Sequence, residues 1–94
     1  MVKAIWQGRV IAESDNTIVV EGNHYFPPEA VNAEYLTASK HTSYCPWKGT
    51  ARYQHVLVNG HEATNAAWFY PEVKPKAENL KDHFAFWKGV EVVG

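Results

Sequence analysis

Cys45, Lys48 and His24 are the side chains of this sequence best suited to reaction chemistry near neutral pH. The first two share the segment Cys45-Pro46-Trp47-Lys48-Gly49. A cation beside a thiol favours the thiolate, which is the nucleophilic form. On a regular strand residues three apart face opposite ways, so Cys45 and Lys48 meet only if Pro46 breaks the alternation. The competing reading makes Cys45 a small buried hydrophobe and Lys48 a solvated cation, with Trp47 anchoring the turn in the core. His24 precedes the rigid Pro27-Pro28 corner and has Tyr25, Glu21 and Glu29 nearby in sequence. A histidine and a carboxylate can serve as general base and orienting partner, although a histidine hydrogen-bonded to backbone is the commoner outcome.

Other chemistries find less support. The five histidines, at 24, 41, 55, 61 and 83, match no zinc spacing, and a single cysteine can form neither an internal disulfide nor a CxxC knuckle. No Gly-rich phosphate loop and no GxSxG motif occurs. Trp68-Phe69-Tyr70-Pro71 is the remaining focus. In a strand Trp68 and Tyr70 share one face, which serves either as core or as the aromatic wall of a small-molecule pocket.

Short strands separated by turn signals must position these residues. Lys3 to Trp6 and Val10 to Ala12 flank Gln7-Gly8-Arg9, and Ser14-Asp15-Asn16 marks a reversal before the β-branched run Thr17 to Val20. Pro27-Pro28 stops any ladder, and Pro28 followed by Glu29 suits the start of a short helix with Val31 and Tyr35 on one face. Strands are expected over Thr42 to Cys45, Gly49 to Val58 and His61 to Tyr70. Asn59-Gly60 is the strongest hairpin signal, and Thr64-Asn65 is a point of interruption. Pro75 is expected to open a short helix through Leu80, followed by a final strand at His83 to Trp87, with Gly89 as a bend and Val90 to Val93 closing the chain. Trp-x-Gly recurs at Trp6, Trp47 and Trp87, which suggests three sheet corners with rings packed inward and glycines permitting the bend.

Composition fits one mainly-β domain over residues 1–94, and the three corners suit bent antiparallel sheets of folded-over or barrel-like form with one or two short helices. The 94 residues are 46% apolar, 14% aromatic and 20% charged. Large rings bury much area in a chain too short to waste any. A net charge of −1 disfavours nucleic acid as a partner. No stretch approaches the roughly 18 apolar residues of a membrane span. A cytoplasmic location follows as an expectation, with the chain a monomer or a weak homodimer.

Four segments together resemble the domain-of-unknown-function 427 family. They are Glu21 to Glu29, Cys45 to Gly49, Ala66 to Pro71 and Phe86 to Val90, in that order, and the similarity covers about Val2 to Val93. The resemblance implies a small β-tent protein of a kind found in bacteria, cyanobacteria and fungi. Among other β-tents are methionine sulfoxide reductases of the B type, many with a structural zinc on two CxxC pairs. Neither pair is present here, so neither the zinc nor the reductase chemistry carries over. A nucleotidyltransferase-like label for the family finds no clustered acids to support it. The resemblance further implies one face where the Pro-Pro corner, the Cys-Pro turn and the Trp-Phe-Tyr strand converge.

Three functions are therefore in competition. The first is a small-molecule-binding domain whose pocket is lined by Tyr25, Trp47, Trp68 and Tyr70, with polar contacts from His24, Lys48 and Glu29. The second is an enzyme using Cys45 as nucleophile with Lys48 or His24. The third is a structural or interaction domain that docks through an exposed edge strand. No cofactor and no metal are expected in any of them.

Overall fold

Two-residue turns set the register of the hairpins. In the computed structural model, which describes residues 1–94, Val2–Trp6 (β1) and Arg9–Ser14 (β2) are joined by Gln7-Gly8, and Trp6 pairs with Arg9. Ile18–Val20 (β3) and Asn23–Tyr25 (β4) turn through Glu21-Gly22, and Val20 pairs with Asn23. Gly49–Val58 (β6) and His61–Phe69 (β7) turn through Asn59-Gly60. All six turn residues have positive φ, between 49° and 81°, the conformation whose twist matches the flanking strands. Leu36–Cys45 (β5), Phe84–Phe86 (β8) and Glu91–Val93 (β9) complete the strands.

The strands form antiparallel sheets of order β2-β1-β9, β3-β4 and β5-β6-β7-β8. The β3-β4 hairpin is tied to the four-stranded sheet where Phe26 and Phe84 exchange backbone hydrogen bonds of 2.7 and 2.9 Å. The result is the mainly-β, tent-like architecture of bent sheets, with short 3₁₀ turns in place of helices.

Strand alternation divides the core in two. Ala67 and Phe86, paired across β7 and β8, join Phe26, Ile11, Ala4 and Val90 on one side. Trp68 and Ala85, the next pair along, join Tyr25, Tyr70, Ala77 and Leu80 on the other. Tyr25 and Phe26 are fully buried neighbours that enter opposite clusters, so this short stretch pins both layers. A bulge between Ala4 and Ile5 leaves Ile11 unopposed on β2, and both Ile11 and Ala12 become fully buried.

The expected interruption at Thr64-Asn65 is a second bulge. Asn65 has φ 55°, its N–H donates to His55 Nδ1 at 3.0 Å, and its carbonyl accepts from the Trp87 indole at 2.7 Å. Other expectations need correction. The helix predicted from Pro28 through Tyr35 is two 3₁₀ turns, Pro28–Ala30 and Ala33–Tyr35, broken at an extended Val31. Val31 bridges to Ala12, the Asn32 N–H bonds the Ile11 carbonyl at 2.8 Å, and the Asn32 amide bonds the Val10 carbonyl. Pairing with β2 thus outcompetes helix formation. Strand β5 starts at Leu36, six residues before the predicted Thr42, with a register shift between Ala38 and Thr42. The segment Pro75–Leu80 is a kinked 3₁₀ element, its Ala77 at φ −115°.

The Trp-x-Gly corners do turn the chain, but their rings do not all pack inward. Trp6 is half-buried against the first cluster, with its indole nitrogen near Gly89, whereas Trp47 and Trp87 are exposed.

Candidate functional site

The β5–β6 connection inverts the expected arrangement of its own segment. Cys45 pairs with Gly49, which leaves Pro46, Trp47 and Lys48 as a three-residue loop. Trp47, expected in the core, is 38% exposed, while Lys48 is 6% exposed. Backbone geometry at Gly49 underlies the inversion. Its φ is +121°, and a Cβ there would stand 2.9 Å from the Glu72 carbonyl oxygen. Only glycine lets the loop enter β6 so close to Pro71–Lys74, and the Lys74 N–H donates to the Lys48 carbonyl at 3.0 Å. Gly49→Ala is accordingly expected to lose about 2–3 kcal/mol in a urea titration, from strain and backbone clash together.

Lys48 turns inward onto rings from three parts of the chain. Its Nζ lies 5.3 Å from the Trp47 ring centroid, 5.5 Å from Tyr70 and 6.0 Å from Tyr25. Such contacts are worth about 0.5–2 kcal/mol each, more as water is excluded. Its anionic partner is Glu21, whose Oε1 accepts directly from Nζ. Glu21 occupies the tight β3–β4 turn at φ 53°, a conformation that favours glycine and asparagine, and its side chain is 56% exposed. A buried lysine therefore meets a carboxylate that remains open to solvent.

Tyr25 and Tyr70 complete the niche. The Trp68 indole N–H donates to the Tyr25 hydroxyl at 3.2 Å, and the two rings meet edge to face at 6.2 Å. Burial pushes the Tyr70 phenol up to about 12, against the pull of the Lys48 ammonium, and neighbouring Tyr25 and Cys45 add to the rise. Burial alone would lower the Lys48 pKa. The Glu21 hydrogen bond and the two phenols outweigh it, so Lys48 stays charged beyond the ordinary lysine range. The same hydrogen bond, with the attraction of the ammonium, holds the Glu21 carboxyl below its usual value.

These shifts fix a pH profile. Glu21 contributes stability above its unfolded value near 4.5, lost as pH falls through its depressed folded value. Tyr70 and Lys48 contribute below their unfolded values of 10.0 and 10.5, and that stability is lost as pH rises further. Melting temperature should therefore fall on both sides of a neutral plateau. Glu21→Gln should flatten the acid limb and Tyr70→Phe the alkaline one, a difference read by thermal unfolding across pH.

The remaining predicted residues divide between this niche and other places. Cys45 is half-buried against the cluster of Tyr25, Trp68 and Tyr70, and the Lys48 ammonium faces two of those rings, Tyr25 and Tyr70. His24 is not part of the group. It alternates with Tyr25 on β4, and its Nδ1 pairs with the Thr17 hydroxyl at 2.8 Å. Glu29 is exposed on the first 3₁₀ turn. Glu21, grouped with His24 in the sequence, instead serves Lys48. Nowhere do three or more His, Cys, Asp or Glu side chains converge. The aromatics Tyr25, Trp68 and Tyr70 assemble as expected, but the Lys48 side chain stands among them. An open cleft of about 550 Å³ adjoins the niche at Gly49, lined by Tyr44, Thr50, Arg52 and Pro71–Lys74. Its polar residues were not singled out from sequence, because Arg52 and Lys74 meet only through the β5–β6 register and the Pro71–Lys74 crossing.

A bent-sheet, mainly-β domain with a lysine sealed under aromatic rings at a sheet corner is the class that fold and site define. Within that class, residues 1–93 match the family described as a domain of unknown function (DUF427), and the chain belongs to that family. A comparison with curated proteins gives no match. No helix is long and apolar enough to cross a membrane.

Proposed function

We propose that this domain binds a small molecule carrying an anionic group, which exchanges with Glu21 at Lys48 while its flat apolar part rests on Trp47. The observation that carries the reading is the asymmetry of the ion pair: Lys48 is buried and permanently charged, and its partner is exposed. Lysine is among the residues least often buried, and a perturbed charged group at a cleft edge is a candidate for a functional site. Trp47 offers an exposed ring beside the ammonium, with the polar and aromatic groups a small ligand needs for orientation.

The test is a thermal-shift panel of small carboxylic acids, aromatic ones included. A ligand present at a hundredfold excess over its dissociation constant stabilises by about 2.7 kcal/mol. Glu21→Gln should strengthen binding by weakening the internal competitor, and Lys48→Met should abolish it. A panel without shifts on either the parent or Glu21→Gln overturns the proposal.

A nucleophilic role for Cys45 is less well supported. The cation that would hold its thiolate is engaged by Glu21 and enclosed by rings. The chain's net charge of −1 and its single unpaired thiol accord with a cytoplasmic monomer or weak homodimer that does not bind nucleic acid.

A further inference from the structure

The cleft beside the lysine niche has its own chemistry. Register places Tyr44 opposite Thr50, and Arg52 lies two residues along β6 on the same face. All three are exposed, on the face of the sheet opposite Ala51 and the second core cluster. The other wall is Pro71–Lys74, fixed by the Lys74 N–H to the Lys48 carbonyl and by the close passage of Gly49 under Glu72.

Neither cation of this cleft has an ion-pair partner. The chain has three ion pairs, at Met1–Asp15, Lys3–Glu13 and Lys48–Glu21, and neither Arg52 nor Lys74 belongs to any of them. Glu72 lines the same cleft and is likewise unpaired, so two cations face one carboxylate. The Lys74 ammonium donates one hydrogen bond, to the Tyr44 hydroxyl at 2.7 Å, and lies 5.2 Å from that ring's centroid. Two of its protons remain unused, as do the five donors of the Arg52 guanidinium. The Tyr44 oxygen accepts from Lys74, which leaves its own O–H free to donate, and Thr50 adds a second free hydroxyl.

We propose that this cleft is an oxyanion site for the phosphate group of a small phosphorylated molecule. A guanidinium fork takes two oxygens of a tetrahedral anion at once, an ammonium adds a point charge, and hydroxyls satisfy the remaining lone pairs. Arg52 is the anchor because its planar donors are uncommitted. Lys74 is held in place by Tyr44, so little side-chain freedom is lost on binding. Glu72 repels the anion and sets a modest affinity. The site shares only the Gly49 turn with the lysine niche and does not depend on the function proposed there.

The test is amide chemical-shift titration of the folded protein, at constant ionic strength, with inorganic phosphate, a simple phosphate monoester and acetate. Saturable shifts are expected at Thr50, Arg52 and Lys74 for both phosphates, with acetate weaker. Arg52→Gln and Lys74→Gln should each bind about tenfold more weakly, the loss of one charge-assisted contact. Glu72→Gln should bind more tightly, and Lys48→Met should leave the response unchanged. Both weakening substitutions are at exposed side chains, so retained melting temperature verifies the fold. Shifts that fail to saturate, or an affinity unchanged by Arg52→Gln, overturn the proposal. Loss of the response in Lys48→Met would transfer anion binding to the lysine niche and equally refute a separate site.

Discussion

Lys48→Met is expected to lose about 1–2 kcal/mol, the worth of the ammonium's contacts, whereas Lys48→Ala adds a cavity and loses about 2–4 kcal/mol. The contrast follows from where each partner of the ion pair sits. Lys48 is 6% exposed and its stem fills the space among Tyr25, Tyr70 and Trp47. Truncation to alanine opens that space, with both a transfer and a cavity penalty. Methionine keeps the length and fills the space, so it gives up the ammonium's contacts but opens no cavity. The usual danger in deleting half of a buried pair is an orphaned charge, and here the orphan is Glu21, which is 56% exposed and readily hydrated. Equilibrium unfolding of the two variants in urea checks the ordering. If methionine proves as damaging as alanine, the ammonium itself holds the corner, and the functional reading of Lys48 loses its main support. If methionine shows only the smaller loss yet abolishes ligand shifts, the charge is retained for binding.

Local signals in the sequence reach as far as the turns. Asn59-Gly60 specifies its two-residue hairpin by backbone chemistry alone, the turn expected at Gln7-Gly8-Arg9 closes over Gln7-Gly8 with Arg9 already in β2, and the Thr64-Asn65 interruption is the bulge at Asn65. The family resemblance, carried by four short segments, correctly anticipates the bent-sheet fold. Of the face it implies, Tyr25, Cys45 and Tyr70 share one cluster. Local patterning fails inside the loop itself. A tryptophan beside a lysine reads as ring in, charge out, and nothing within five residues reverses that reading. The reversal comes from partners distant in sequence: the Glu72 carbonyl against Gly49, the rings of Tyr25 and Tyr70, and the carboxylate of Glu21. His24 and Glu21 illustrate the same limit. Proximity in sequence suggests a pair, but strand alternation sends His24 to Thr17 and the tight turn gives Glu21 to Lys48. Likewise, the polar run Thr37 to His41 carries no hydrophobic alternation, so the first half of β5 is defined only by its pairing with β6.

Trp68→Ala is expected to cost about 3–5 kcal/mol and to lower the melting temperature by roughly 15 °C or more, the largest effect of any single tryptophan. Trp47→Ala, by contrast, should cost about 1 kcal/mol, as a partly exposed ring on a loop. The two residues look equally aromatic in sequence, so the difference is purely one of position. Trp68 is 9% exposed near the end of β7 and contacts Tyr25 at 6.2 Å, Trp87 at 5.6 Å and Tyr53 at 6.4 Å between ring centroids. Its removal leaves a large cavity and deprives the buried Tyr25 hydroxyl of its donor. The Trp47 ring faces the Lys48 ammonium and its indole helps to hold the Glu21 carboxylate, but much of its surface is already in water. Trp68→Phe separates packing from hydrogen bonding, since it retains much of the ring volume but no N–H. That variant should stay folded with a smaller loss, and Tyr25, released from the indole, should hold Lys48 less well. A lowered affinity for the carboxylate ligand in Trp68→Phe, alongside a nearly intact melting temperature, would mark Trp68 as a positioning residue for the niche. An unchanged affinity would confine it to the core.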